Sequence, residues 1–410
     1  MSTEKLFHED PFLLRFEARV VTATEWKGRP SIVLDRTAFY PEGGGQLADV
    51  GVLRVGGGVL QIGDVQIDEE GVIHHLVDTA AQYRIAEQTV IGEVDVRRRR
   101  DHMSQHTAQH MLSRALLDVA DAETVSARLG SQVSTIDLKV GVLTDAQLSQ
   151  AENLVNEIIF DDRPVRSLFP TSEEMSRLPL RRPPKVERNV RVIEIDGFDH
   201  SPCGGTHCTR TSQVGPVHVL CTEKYKGLVR LTFVSGRRCL EDYRAKDAAL
   251  RSMARMFTCG PLDVSSALDR MRDDAAAQAE QTKWLRERFV RAAAERWLAA
   301  SPPDASGTTL VLADETGADL TTLRALARAI ASRADAVAVV GARDASGDWQ
   351  VVVERGSRAK FDAGQWFKQQ VASVGARGGG RADRAEGRVP ASVEWTGAGI
   401  GYLGPTPDSR

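Results

Sequence analysis

Cysteine is scarce in this chain, five residues in 410, and histidine is little commoner at nine. So few cysteines, odd in number, exclude a disulfide framework and fit a reducing compartment, which leaves the thiols free to act as ligands. Long apolar runs are missing as well. The opening MSTEKLFHEDPFLLRFEARV breaks its apolar residues with charges, and no later stretch approaches the roughly 18 apolar residues of a membrane span. The expectation is a cytoplasmic protein with no membrane partner. Charge of one sign is also absent: a net charge of -3 excludes a uniformly basic nucleic-acid binder, so any contact with RNA must come from local patches. At 410 residues the chain is too long for one ordinary domain and long enough for several cores.

From Phe12 to about Val90 the pattern is short and strand-like: LLRFEARVV, SIVLD, VGVLRV and GVIHHLV, parted by turns such as KGRP and PEGGGQ. This predicts a β-rich, barrel-like unit over 1–92. An arginine run follows, Arg97 to Arg100, and then a helix carrying HTAQHMLSRALLDVA, capped by Asp101 or Ser104, with Met111, Leu112, Ala115 and Leu116 on its apolar face. Strand patterns in TIDLKVGV, RVIEIDGF, VGPVHVL and LVRLTFVSG, with DAQLSQAENLVNEIIF as an amphipathic helix, make 93–238 an α+β domain. Glycine and proline nearly vanish from Cys239 to Leu298, which suits a long helix or helical pair within 239–302 as a connector or dimerising arm. After SPPDASG, an α/β rhythm of TTLVLA, DLTTLRALARAIAS, AVAVVGA and WQVVVE defines a final domain over 303–410. The fold class expected is α+β: barrel-like unit, α+β domain, helical arm and C-terminal α/β domain. A homodimer through the arm or the last domain is a candidate assembly.

Two histidines of HTAQH, His106 and His110, stand at i and i+4 and so project from one helical face toward a common point. Alone, the pair is as well explained by an amphipathic helix. About a hundred residues on, DHSPCGGTHC repeats the spacing with Cys203 and His207 in a loop, where Pro202, Gly204 and Gly205 oppose a helix. Three imidazoles and a thiolate suit tetrahedral zinc. Cys208, His200 and His102 flank these motifs and are expected to be bystanders. Cys221, Cys239 and Cys259 are expected to be small core residues, and His74 and His75 have no partner that the sequence names.

HTAQH and CGGTH, preceded by LDRTAFYPEGGGQLADVG from Leu34 to Gly51, resemble the editing domain of alanyl-tRNA synthetase and its free-standing AlaX-type relatives. VGPVHVLCTEKYKGLVRLTFVSGRRCL resembles the end of that domain, and VGARGGGRADRAEGRV, Val374 to Val389, resembles a glycine-rich segment of the synthetase's C-terminal domain. No part of the sequence resembles the aminoacylation core, so the long AlaX form is expected. The resemblance implies hydrolysis in trans of mischarged alanine tRNA, chiefly seryl-tRNA and also glycyl-tRNA, with alanyl-tRNA spared. It implies Thr37 and Gln46 as residues of the reaction and discrimination, and Gly43, Gly44 and Gly45 as a turn allowing close approach to the substrate.

Such an enzyme answers a physical need, because a pocket shaped for alanine cannot strongly reject glycine or serine. Zinc could polarise the ester or activate a water if a coordination position stayed open; four protein ligands would close the site and make the ion an organiser. No unambiguous general base is visible. For RNA, the candidates are Arg97, Arg98, Arg99 and Arg100, the cluster Arg181, Arg182 and Lys185, and Arg377, Gly378, Gly379, Gly380 and Arg381, read as a flexible basic loop. The alternatives are a zinc-stabilised tRNA-binding module without turnover, or a deacylase for another aminoacyl ester.

Overall fold

A computed structural model of the chain describes residues 3–56, 58–78, 85, 87–184 and 190–393, side chains 370–374 excepted. Lys185 and the GPTPDSR tail therefore lie outside the described residues. Contacts divide the chain into two compact units, Met1–Met253 and Ala254–Arg410, so the barrel and the histidine helix share the first.

The first unit opens with β1 (Glu4–Lys5) and α1 (Leu6–Glu9), and continues through β2 (Arg15–Trp26), β3 (Arg29–Leu34), β4 (Arg36–Thr37), β5 (Gly51–Val55), β6 (Gly58–Ile67), β7 (Ile73–Val77) and β8 (Thr89–Val94). Six of these strands close into a barrel in the order β2-β3-β7-β6-β5-β8. Alternation builds the wall: along β2, Phe16, Ala18 and Val20 are buried while Arg15, Glu17 and Arg19 face outward. Closure removes the exposed edges that an open sheet of this size would present.

Next come α2 (Val96–Ala120), β9 (Glu123–Leu129), β10 (Ser134–Lys139), α3 (Asp145–Phe160), β11 (Val165–Leu168), α4 (Ser172–Arg177), β12 (Val192–Ile195), β13 (Asp199–Pro202), β14 (Val217–Tyr225), β15 (Leu228–Ser235) and α5 (Gly236–Phe257). A four-stranded sheet, β14-β15-β10-β9, and a three-stranded one, β11-β12-β13, surround α2 and α3. Met111, Leu112, Ala115 and Leu116 are fully buried in that core. The expected cap is corrected: α2 begins well before Asp101, with Asp95 accepting the Arg98 N–H at 2.8 Å, so Arg97 to Arg100 lie inside the helix. Asp101 is engaged instead by Arg238, and Ser104 by Val214.

In the second unit, α6 (Val264–Ala300) precedes β16 (Thr309–Asp314), α7 (Leu320–Ala331), β17 (Ala336–Arg343), β18 (Trp349–Arg355), α8 (Ala363–Val374), β19 (Arg377–Gly380) and β20 (Arg384–Val389). The helical stretch read from composition is two helices, parted by Gly260 and Pro261, where the missing N–H of proline favours a helix start. The sheet order is β16-β17-β18-β20-β19, with α6 and α7 packed on one face and α8 on the other. Arg377–Gly380 is consequently not a flexible loop. It is an edge strand, held in register with β20 by pairs such as Gly378 with Gly387 and Gly380 with Ala385.

Candidate metal centre

α2 delivers His106 and His110 one turn apart, and the loop after β13 delivers Cys203 and His207. One ligand atom from each of the four lies within 4.8 Å of the other three. Cys203 Sγ stands 3.4 Å from His106 Nε2 and 3.3 Å from His207 Nε2. The His106 and His207 rings have centroids 4.3 Å apart, and all three imidazoles are buried.

The loop comes so close because position 205 is glycine. A Cβ there would fall 2.2 Å from His106 Cε1, well inside contact distance. Arg191, itself buried, fixes the turn by donating to the carbonyls of Cys203 at 3.1 Å and Gly205 at 2.7 Å.

The other side of each ring explains its orientation. Gln46 Oε1 accepts the Thr206 N–H at 3.1 Å while Gln46 Nε2 donates to Thr206 Oγ1 at 2.8 Å, which sets the amide's orientation. His106 Nδ1, 2.7 Å from the same Oε1, must then be the protonated nitrogen, leaving the Nε2 lone pair directed at Cys203. His207 Nδ1 meets Thr107 Oγ1 at 3.2 Å, and that oxygen also accepts the Cys208 N–H. His110 Nδ1 has no hydrogen-bond partner among the described residues and faces Asp199 Oδ2 at 3.8 Å; Asp199 is anchored in turn by Arg181 and Ser201. Neighbours of this kind set ring orientation at metal centres.

Burial, reinforced by the His106 ring, holds His110 and His207 well below the usual imidazole range. Burial alone would raise the Cys203 thiol, but His106 and His207 outweigh it and hold the group well below the usual thiol range. Neutral imidazoles and a thiolate are the forms that bind a metal. Converging buried lone pairs without a shared cation are costly, so these four residues fit a metal ion. Cys208 stands apart: burial pushes its thiol up to about 12, and it is not one of the cluster. Cys221 is exposed, and Cys239 and Cys259 are half-buried, which corrects the expectation that all three are core residues.

The glycine turn belongs to the centre's support. Gly45 O accepts the Leu129 N–H at 2.8 Å, and a Cβ on Gly45 would lie 2.5 Å from Ala127 O, so the turn is pressed against β9. Gly43 O accepts the Tyr40 hydroxyl at 2.9 Å, while Gly44 is exposed. Thr37 is fully buried: its hydroxyl accepts the Phe39 N–H at 3.0 Å and donates to His75 Nε2 at 2.8 Å, because His75 Nδ1 donates to Ile32 O. His74 likewise has partners, Ser31 at 3.0 Å and Asp68 at 3.1 Å.

The chain resembles alanine–tRNA ligases. Residues 11–98 match the model "tRNA synthetases class II (A)", and residues 190–232, which hold Arg191, Cys203 and His207, match "Threonyl and Alanyl tRNA synthetase second additional domain". The alanine–tRNA ligase of Halorubrum lacusprofundi is 32% identical over 95% of this chain and 42% of its own length. That of Methanopyrus kandleri is 30% identical over 94% and 42%, and that of Pyrococcus abyssi 32% identical over 70% and 32%. The chain thus spans about 42% of the length of the first two of these ligases. A solved C-Ala domain of the Aquifex aeolicus alanyl-tRNA synthetase aligns with 21% of the chain at 24% identity, at a TM-score of 0.20.

The arginines separate into different roles. Arg97 and Arg100 are exposed and Arg98 is half-buried. Arg99 is fully buried against Asp49 and the carbonyls of Pro11 and Ala38, so it does not belong to a phosphate-facing surface. Arg181 is drawn inward by Asp199, its side chain only 5% exposed, whereas Arg182 is half-buried. Arg377 and Arg381 are exposed. No local pattern marks Asp199, Thr107 or Arg191 as supports; only the order of the fold brings them there. No described helix is long and apolar enough to cross a membrane.

Proposed function

We propose that this chain hydrolyses the aminoacyl ester of mischarged alanine tRNA in trans, chiefly seryl-tRNA and also glycyl-tRNA, sparing alanyl-tRNA. The observation that carries the reading is the union of His106, His110, Cys203 and His207 with Gln46 of the glycine turn, in a chain similar to alanine–tRNA ligases. Zinc bound by the four residues would supply a fixed positive charge, and four protein ligands suit an organising role.

The chain's own residues do the rest. Gln46 holds the His106 ring, and Arg191 holds the Cys203–Gly205 turn. The accessible edge of the centre consists of Cys203, Gly204 and His8, whose Nε2 meets Gly204 O at 3.0 Å, so the ester is received there. Burial and then Arg191 lower His8 to about 4, so it is neutral at pH 7; its Nε2–H is given to Gly204 O and its Nδ1 is left as an acceptor for a hydroxyl. A polar edge favours a hydroxyl-bearing aminoacyl group over alanine, since a site built to hydrogen-bond rejects the analogue lacking the group. Thr37, with its hydroxyl engaged by His75 and Phe39, acts by shaping the barrel wall behind the turn. Arg97, Arg98, Arg100, Arg182, Arg377 and Arg381 are the proposed phosphate contacts.

The engagement of Thr37 and Gln46 inside the protein favours one second reading, a tRNA-binding module whose zinc is structural. Deacylation of seryl- and alanyl-tRNA of the alanine acceptor, measured side by side before and after zinc removal, separates the two. Selective loss of serine that needs the metal supports the enzyme. Binding of RNA with neither ester cleaved supports the module.

A further inference from the structure

Two adjoining cavities, of about 620 and about 660 Å³, flank the start of α2 and share Arg97, Asp101 and Arg237. Each falls within the size range of small-molecule sites, about 300–1,000 Å³. The first is lined by His102, which is 2% exposed, yet its Nδ1 has no hydrogen-bond partner among the described residues. Buried polar atoms are rarely left in that state, and each one calls for a partner.

Arg97, Arg98, Arg237 and Arg238 line this cavity beside Asp95, Asp101, Glu241 and Asp242, so its formal charges balance, but their pairing is uneven. Asp95 caps α2 through the Arg98 N–H, Asp101 is held by Arg238, Glu241 by Arg97 and Asp242 by Lys246. Arg237 has neither an ion pair nor a side-chain hydrogen bond among the described residues, and Arg98 donates only Nε, to Ala48 O at 2.8 Å. Three of the four carboxylates are paired with cations, Asp95 only caps the helix, and two guanidinium groups have donors to spare, so the unpaired groups favour an anion. Its remaining lining is apolar, with Val50, Val133, Leu220 and Val234.

We infer that this cavity binds one nucleotide unit, its phosphate at Arg98 and Arg237, its base against the valine and leucine side chains, and a base edge at His102. Burial, then Arg98, lowers His102 to about 4, so its ring is neutral at neutral pH and gives the base a single hydrogen bond, its two nitrogens pointing apart. The second cavity, lined by Arg100 as well as Arg97 and Arg237, continues the path for the adjacent phosphate of a single strand. The strand version rests on the RNA substrate of the proposed function; the nucleotide site itself does not rest on hydrolysis.

The test is calorimetric titration of the zinc-loaded full chain with inorganic phosphate, adenosine 5′-monophosphate and a four-nucleotide single-stranded RNA. Saturable binding of the monophosphate, tighter than phosphate and weakened about tenfold by Arg237→Ala, is the expected result. Arg237 is exposed, so that variant keeps the fold; His102→Gln should weaken the nucleotide while leaving inorganic phosphate unchanged. If the RNA binds more tightly than the monophosphate, with a salt slope reduced by about 0.7 in Arg237→Ala, the ligand is a strand; equal binding of the two identifies a free nucleotide. No saturable binding, or binding indifferent to both variants, overturns the site. Deacylation of seryl-tRNA is read in parallel: ester cleavage without nucleotide binding rejects this site alone, and nucleotide binding without cleavage rejects only the deacylase.

Discussion

The side-chain oxygen of Gln46 lies 2.7 Å from Nδ1 of His106 and points the ring's other nitrogen at Cys203. The barrel unit therefore supports the candidate metal centre without contributing one of its four ligands. Gln46→Leu removes the acceptor and leaves a buried N–H unpaired, so metal affinity should fall about 10–100-fold. Zinc competition with a chromophoric chelator measures it; unchanged affinity would remove Gln46 from the centre.

Gly205→Ala forces a methyl group into the His106 ring. Overpacking of this kind costs about 1–3 kcal/mol, and here it also displaces a ligand. Both the urea midpoint and zinc affinity should drop. A drop in the midpoint with full zinc affinity would show that the loop, rather than the ring, gives way.

The pair HTAQH and CGGTH was legible because each follows a local rule: i and i+4 on a helix, and a glycine-bearing loop too irregular to be one. What supports them was not. Gln46 reaches Thr206 across 160 residues and Arg99 reaches Asp49 across 50, and no periodicity encodes such meetings. Four consecutive arginines look like a solvated face, yet a helix turns about 100° per residue, and only the third of them is fully buried. The strands were legible from alternation. The segment Arg377–Gly380 was not, since glycine lacks the side chains that carry that signal.

Arg99 and Asp49 form a fully buried ion pair. Arg99→Met removes one partner and strands the other charge, and should cost about 3–5 kcal/mol. Denaturant unfolding checks this. An effect near zero would mean that Asp49 finds another partner or takes up a proton.

Burial holds His75 at about 4, and burial with Arg98 holds His102 at about 4. Both lie below the unfolded value near 6.5, so under that pH the unfolded chain binds more protons and stability is lost as pH falls from about 6.5 to about 4. At pH 5.5 each residue should cost about 1.4 kcal/mol. Urea midpoints at pH 7.5, 6.5 and 5.5 report these losses together with those of His8, His110 and His207, which have the same sign, and a flat profile would contradict them.

The ligand pair of α2 and the loop that completes it are separated by 97 residues, from His106 to Cys203. During synthesis the barrel and α2 leave the ribosome long before that loop does, and the two early imidazoles wait with half a coordination sphere. Capture of a metal ion by all four residues would therefore be a late event in the life of the nascent chain, and a ribosome halted before His207 holds a barrel whose glutamine has not yet met its threonine.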